Sequence, residues 1–168
     1  MNLGMTILKG RRSIRKYKDE KVSDEIIHAA IDSARLAPTA RNAQPWVIGV
    51  IKEKETLNKL SELATHGKFI KDANVCFAVF TEKDHKFFVE DGCAATIQII
   101  LGLWSYGVGS CWIAGDKMEY AEDVRALLEV PEKYTLISLI PAGYPADVTI
   151  PSKKSAEEIS FFEKYREE

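Results

Sequence analysis

Seven residues, Arg11-Arg12-Ser13-Ile14-Arg15-Lys16-Tyr17, put four cations and a hydroxyl together in a chain whose net charge is -2. In an extended run alternate side chains share a face, so Arg11, Ser13 and Arg15 point one way and Arg12, Ile14 and Lys16 the other. Guanidinium and hydroxyl donors on one edge suit a phosphate, which arginine binds in bidentate fashion. A solvated surface charge run is the plainer alternative, since Lys18, Asp19, Glu20 and Lys21 follow. Against it, the knot is pinned between a short helix and a strongly capped one.

A second set is Asn42 and Gln44 in Pro38-Thr39-Ala40-Arg41-Asn42-Ala43-Gln44-Pro45. Two primary amides offer donors and acceptors side by side, which fits the edge of a planar heterocycle. Turn capping is the competing role. A third set is Gly109-Ser110-Cys111-Trp112-Ile113-Ala114-Gly115-Asp116, where small residues end a buried strand. Glycine there lets a ligand approach the backbone closely, although a plain strand-to-helix turn reads the same way. No phosphate-binding glycine motif follows a strand, and no side chain stands out as a nucleophile. The hard chemistry of an enzyme built this way belongs to a cofactor.

Composition narrows the setting. The chain has 168 residues, 46% hydrophobic and 29% charged, with a pI near 6.0. That length fits one domain, residues 1–168, with a sizeable core. The acidic balance argues against nucleic-acid or membrane-surface binding. Cys76, Cys93 and Cys111 are scattered among apolar residues, the pattern of reduced core thiols in a cytoplasmic protein. His28, His66 and His85 are isolated in sequence, so no metal site is expected. The N-terminus lacks the apolar run and small-residue cleavage site of a secretory signal.

The elements that must position these sets alternate along the chain. Leu3–Gly10 reads as a short helix. Ser23 caps a second helix that ends near Pro38. WVIGVIK, VCFAVFT, VGSCWIA and TLISLIPAGYP read as buried strands. KETLNKLSELAT and EYAEDVRALLEV read as amphipathic helices, and Ser155 caps a last short one. Between Gly92 and Gly115 no residue is charged. By length the run could span a bilayer. Its glycines and the polar Thr96, Gln98 and Ser105 favour a buried helix followed by a strand. A helix apolar all round needs cover on all sides, which a partner subunit would supply. The pattern is α+β, a central sheet with helices packed on it.

Taken together, RRSIRKY, APTARNAQPW, DGCAATIQIILGLWSYGVGSCWI and IPAGYP before a basic tail resemble the nitroreductase family of FMN-dependent oxidoreductases, over nearly the whole chain and in its short-chain branch. The resemblance implies a mixed, mostly antiparallel sheet flanked by helices and an intertwined homodimer with FMN at the subunit interface. It implies that Arg11, Arg12 and Ser13 hold the FMN phosphate and ribityl chain, and that Arg15 lies near flavin N1 and the C2 carbonyl. Pro38, Thr39 and Asn42 match the loop that the other subunit lays over the flavin, with Gln44 behind it. Ala114 and Gly115 match the backbone facing N5 and O4. Lys153 and Lys154 match a basic pair that completes the phosphate site. The activity implied is ping-pong transfer of two electrons from NAD(P)H through flavin N5 to a nitroaromatic, a quinone or a related acceptor. The alternatives are an FMN store or sensor with little turnover, or a reductive dehalogenase, for whose lid the chain has little room.

Overall fold

The computed structural model describes residues 2–166. Chain order is α1 (Leu3–Gly10), α2 (Asp24–Arg35), β1 (Trp46–Ile51), α3 (Lys54–Leu63), β2 (Val75–Glu82), α4 (Phe88–Ser105), β3 (Gly109–Ser110), β4 (Ile113–Ala114), α5 (Ala121–Leu127), β5 (Tyr134–Gly143) and α6 (Ala156–Ile159). Short 3-10 turns cover Ala40–Asn42 and Lys68–Asp72. The sheet runs β1-β2-β5-β3, with β4 also on β5, and every strand pairing is antiparallel. Among the described residues the one parallel element is an isolated bridge between Ser13 and Ser110.

Helices cover both faces of the sheet, and β2 shows why. Val75, Phe77 and Val79 face a core with α2 and α4, while Cys76, Ala78 and Phe80 face one with α3 and α5. A strand buried on both faces has no polar side, so VCFAVF is apolar throughout. In β5 the alternation breaks: Leu136 and Leu139 face the α3 side, and Ile137 and Ile140 the α4 side. A bulge does this. The register steps from Val79↔Ser138 to Phe80↔Leu136, leaving Ile137 without an opposite residue. The Ile137 carbonyl accepts from Gly115 N–H at 3.0 Å, which ties down the end of β4.

Helix α4 lies close against its neighbours. A Cβ on Gly92 would stand 2.6 Å from Ile137 Cγ1, and one on Gly102 would stand 2.5 Å from Ser33 Oγ of α2. Thr96, in the uncharged run, is satisfied inside: its hydroxyl bonds the Gly92 carbonyl at 2.8 Å and lies 2.7 Å from Ser138 Oγ. No described helix is long and apolar enough to cross a membrane.

The structure corrects several sequence expectations. VGSCWIA is two short strands broken at Cys111–Trp112, not one. WVIGVIK is an edge strand in which only Ile51 is buried, because nothing pairs with its outer side. The last helix is a single turn, Ala156–Ile159, closed by a capping box in which Ser155 and Glu158 each bond the other's backbone N–H. Glu167 and Glu168, placed in that helix by the sequence reading, lie outside the described residues.

Candidate functional site: a basic cleft joined to an aromatic slot

The basic knot is fixed to the edge of the sheet. Ile14 N–H donates to the Ser110 carbonyl at 2.9 Å, beside the Ser13–Ser110 bridge. The Ile14 side chain is fully buried, and a Cβ on Gly109 would lie 2.4 Å from its Cγ1. Glycine at 109 makes room for this anchor. Tyr17 is a second anchor: its single O–H lies within hydrogen-bond reach of two carbonyls, those of Ile14 and Pro141, at 2.8 and 3.0 Å. Burial pushes its phenol far up, so it stays a neutral donor.

With Ile14 turned inward, Arg11, Ser13 and Arg15 turn outward into a cleft of about 590 Å³. Arg12, Lys9, Lys153, Leu8, Thr149 and Pro151 complete its wall. Among the described residues, five cations and no carboxylate line it. That donor set fits a phosphate with a polyol attached. Arg12, expected on the opposite side from Arg11, reaches this wall too, and its Nη1 donates to the Lys9 and Arg11 carbonyls at 2.8 and 2.7 Å. These bonds satisfy carbonyls at the C-terminal end of α1. Lys153 reaches the cleft; Lys154, next to it, is exposed and is not part of the wall.

Arg15 lines more than this one cavity. It also lines a slot of about 280 Å³ with His66, Phe69, Cys111, Trp112, Ile113, Ala114, Met118 and Tyr120. Aromatic and apolar side chains line the slot together with the Arg15 guanidinium and the His66 imidazole, a mix that suits a planar ring with a polar edge. The Arg15 guanidinium sits 5.9 Å from the centroid of Phe69, a cation–π distance. Ala114 is exposed in this slot and its carbonyl accepts from the Tyr120 hydroxyl. Gly115 is different: its N–H is bonded to Ile137 and its carbonyl to Met118 N–H. A Cβ there would lie 2.6 Å from Leu136 Cγ, so Gly115 serves close packing against β5.

The slot contains no activated thiol. Burial raises the Cys111 thiol despite the opposing pull of Arg15, a hydrogen bond with Ser13, and Arg11. Burial likewise raises Cys93, with Glu90 and Asp116 adding to it, and pushes Cys76 up to about 12. All three remain thiols at neutral pH, and none is poised as a nucleophile.

Pro38, Thr39, Asn42 and Gln44 line neither cavity of their own chain. Their loop has an anchor of its own. Thr39 Oγ1 donates to Asp91 Oδ2 at 2.7 Å, and Ala40 N–H points at both Asp91 oxygens, at 3.2 and 3.3 Å. Gln44 N–H donates back to Thr39 Oγ1 at 3.1 Å, and the Gln44 amide to the Asn42 carbonyl at 3.3 Å. His85 Nε2 lies 3.0 Å from Asp91 Oδ2. Sequence reasoning missed Asp91, His85, His66, Phe69 and Tyr120. Asp91 had one signal: a carboxylate immediately before a long uncharged helical run.

Known proteins share this sequence pattern and this fold. The nitroreductase family model matches residues 8–67 and 64–144. A protein of Methanothermobacter thermautotrophicus, named provisionally as an NADH dehydrogenase/NAD(P)H nitroreductase, is 37% identical over 83% of this chain and 76% of its own. The FMN reductase [NAD(P)H] of Bacillus subtilis is 29% identical over 88% of this chain and 68% of its own. The solved FMN-dependent nitroreductase of Clostridium difficile R20291 superposes with a TM-score of 0.89 at 30% identity, covering 96% of this chain and 99% of its own. An α+β fold shared over almost the full chain, with a family match spanning both the basic knot and the aromatic slot, places this protein in the nitroreductase family.

Proposed function

We propose that the protein is an FMN-dependent oxidoreductase using NAD(P)H and working as a homodimer. The observation that carries the reading is the join at Arg15 between a cleft lined by five cations and an aromatic slot. When bound, FMN supplies two-electron redox chemistry between NAD(P)H and a nitroaromatic, quinone or related conjugated acceptor, in a ping-pong sequence. Arg11, Arg12, Ser13 and Lys153 would hold the phosphate and ribityl chain. These contacts bind oxidised and reduced cofactor alike, so they contribute affinity rather than redox tuning. Arg15 would place fixed positive charge at the ring's polar edge, where charge builds on reduction. Trp112, Phe69 and Ala114 would line the slot and limit water.

The dimer rests on surfaces that one chain leaves open. Ile97 on α4 is 43% exposed, with Leu101 and Trp104 half-buried beside it. Ile150, Phe162 and Tyr165 in the tail are 73%, 88% and 71% exposed. The loop Pro38–Gln44 lines neither the cleft nor the slot of its own chain, and in this reading it would close the site of the other copy. The reaction order is tested by steady-state rates over a grid of NAD(P)H and quinone concentrations. Parallel double-reciprocal lines are expected. Intersecting lines would replace ping-pong with a ternary complex.

A further inference from the structure

The loop between α2 and β1 is held in an unfavourable shape. Arg41, Asn42 and Gln44 have φ of 55°, 59° and 49°, in the left-handed region. Asparagine tolerates this; for arginine and glutamine it is a strained conformation. A mere connection between a helix and a strand would use glycine at such positions. Here the side chains of Arg41, Asn42 and Gln44 are all exposed, displayed outward on a strained backbone. Beneath them Asp91 is 5% exposed, in the first turn of α4. Its carboxylate takes the Thr39 hydroxyl, the Ala40 N–H and the His85 ring nitrogen. The His85 Nε2 lies 3.0 Å from the same oxygen that takes the Thr39 hydroxyl. A buried carboxylate is stable only when so surrounded, and the helix N-terminus favours its charge.

We propose that Asp91 is a positioning residue that locks the Thr39–Gln44 loop into its left-handed shape, so that Asn42 and Gln44 meet the edge of a flavin ring held by the other subunit. The inference rests on the reading as a dimeric flavoprotein. Thr39 is the relay: it donates to Asp91 and accepts from Gln44 N–H, so the carboxylate fixes both ends of the strained segment. An amide at position 91 would turn an N–H₂ toward at least one of the three groups and release the loop.

The test uses the whole protein, FMN, and the quenching of flavin fluorescence on binding. Asp91→Asn is expected to weaken FMN binding tenfold or more and to change the visible circular dichroism of the bound flavin. Thr39→Val should do the same while Thr39→Ser restores both, which supplies a second route if Asp91→Asn folds poorly. The decisive sample is a mixed dimer of one Asp91→Asn chain and one Arg12→Ala chain. One of its two sites then combines an intact basic knot with an intact loop from the opposite chain. Tight binding of one FMN per mixed dimer, with wild-type dichroism, is expected. Absence of a tight site in the mixed dimer, or Asp91→Asn and Thr39→Val proteins that bind as wild type does, would overturn the inference and leave the flavoprotein reading intact. A wild-type protein that does not bind FMN would overturn both.

Discussion

At the residue scale, two arginines three positions apart are expected to do different work. Arg12 lines only the basic cleft, while Arg15 lines the cleft and the slot. Arg12→Ala should weaken FMN binding and leave the potential of bound flavin nearly unchanged. Arg15→Ala should lower the two-electron potential more than the affinity. A hydrogen bond to a charged group is worth roughly 1.5–3 kcal/mol, and about 30 mV corresponds to 1.4 kcal/mol for two electrons. A drop on the order of 30–60 mV follows if the contact forms mainly in the reduced state. Dye-coupled reductive titration checks it; an unmoved potential with a raised dissociation constant would make Arg15 one more phosphate ligand. The knot was legible because four cations and a hydroxyl crowd into seven residues of a chain with net charge -2; that Ile14 turns inward and Arg12 reaches the same wall as Arg11 was not. Phe69 was not. Its ring stands beside Arg15 only because a 3-10 turn over fifty residues later in the chain packs against the same slot.

At the scale of elements, α4 and the β5 bulge carry both the core and the site. Gly92→Ala would push a methyl into Ile137, the bulged residue whose carbonyl holds Gly115. Overpacking of this kind costs about 1–3 kcal/mol. For a chain of this size that is roughly 2–10 °C in Tm, measurable by thermal unfolding of the FMN-free protein. An unchanged Tm would mean that α4 rides more loosely on the sheet than the contact implies. The helices were readable from caps and apolar spacing: Ser23 caps α2 as the sequence predicts, and Leu57 and Leu60 face the core of α3. The break in VGSCWIA and the exposure of β1 were not readable. Both follow from sheet order, which depends on which strands meet across long stretches of chain, and apolar runs look alike at an edge and at the centre.

At the scale of the whole molecule, the uncharged helix led to the expectation of a partner, and the structure distinguishes the residues of that helix that one chain buries from those it leaves open. Ile100 is 5% exposed and belongs to the chain's own core, so it is no probe of assembly. Ile97 is the better one. Ile97→Asp should convert a dimer that persists at nanomolar concentration into a species that dissociates and loses FMN, by analytical ultracentrifugation with flavin absorbance. Obligate interfaces are large and apolar, and a buried unpaired carboxylate would break one. An Ile97→Asp dimer with wild-type flavin content would place the interface elsewhere.

A cofactor that bridges the basic cleft and the aromatic slot would take electrons from a nicotinamide. The direct measurement is the visible spectrum under anaerobic conditions, first of the protein as purified and then after incubation with FMN, recorded before and after addition of NADH and, separately, NADPH. A yellow protein is expected that as purified releases FMN rather than FAD on denaturation, with a flavin band bleached by at least one of the two nucleotides within seconds. A protein that stays colourless after incubation with FMN, or whose bound flavin keeps its full absorbance with both nucleotides, would contradict it.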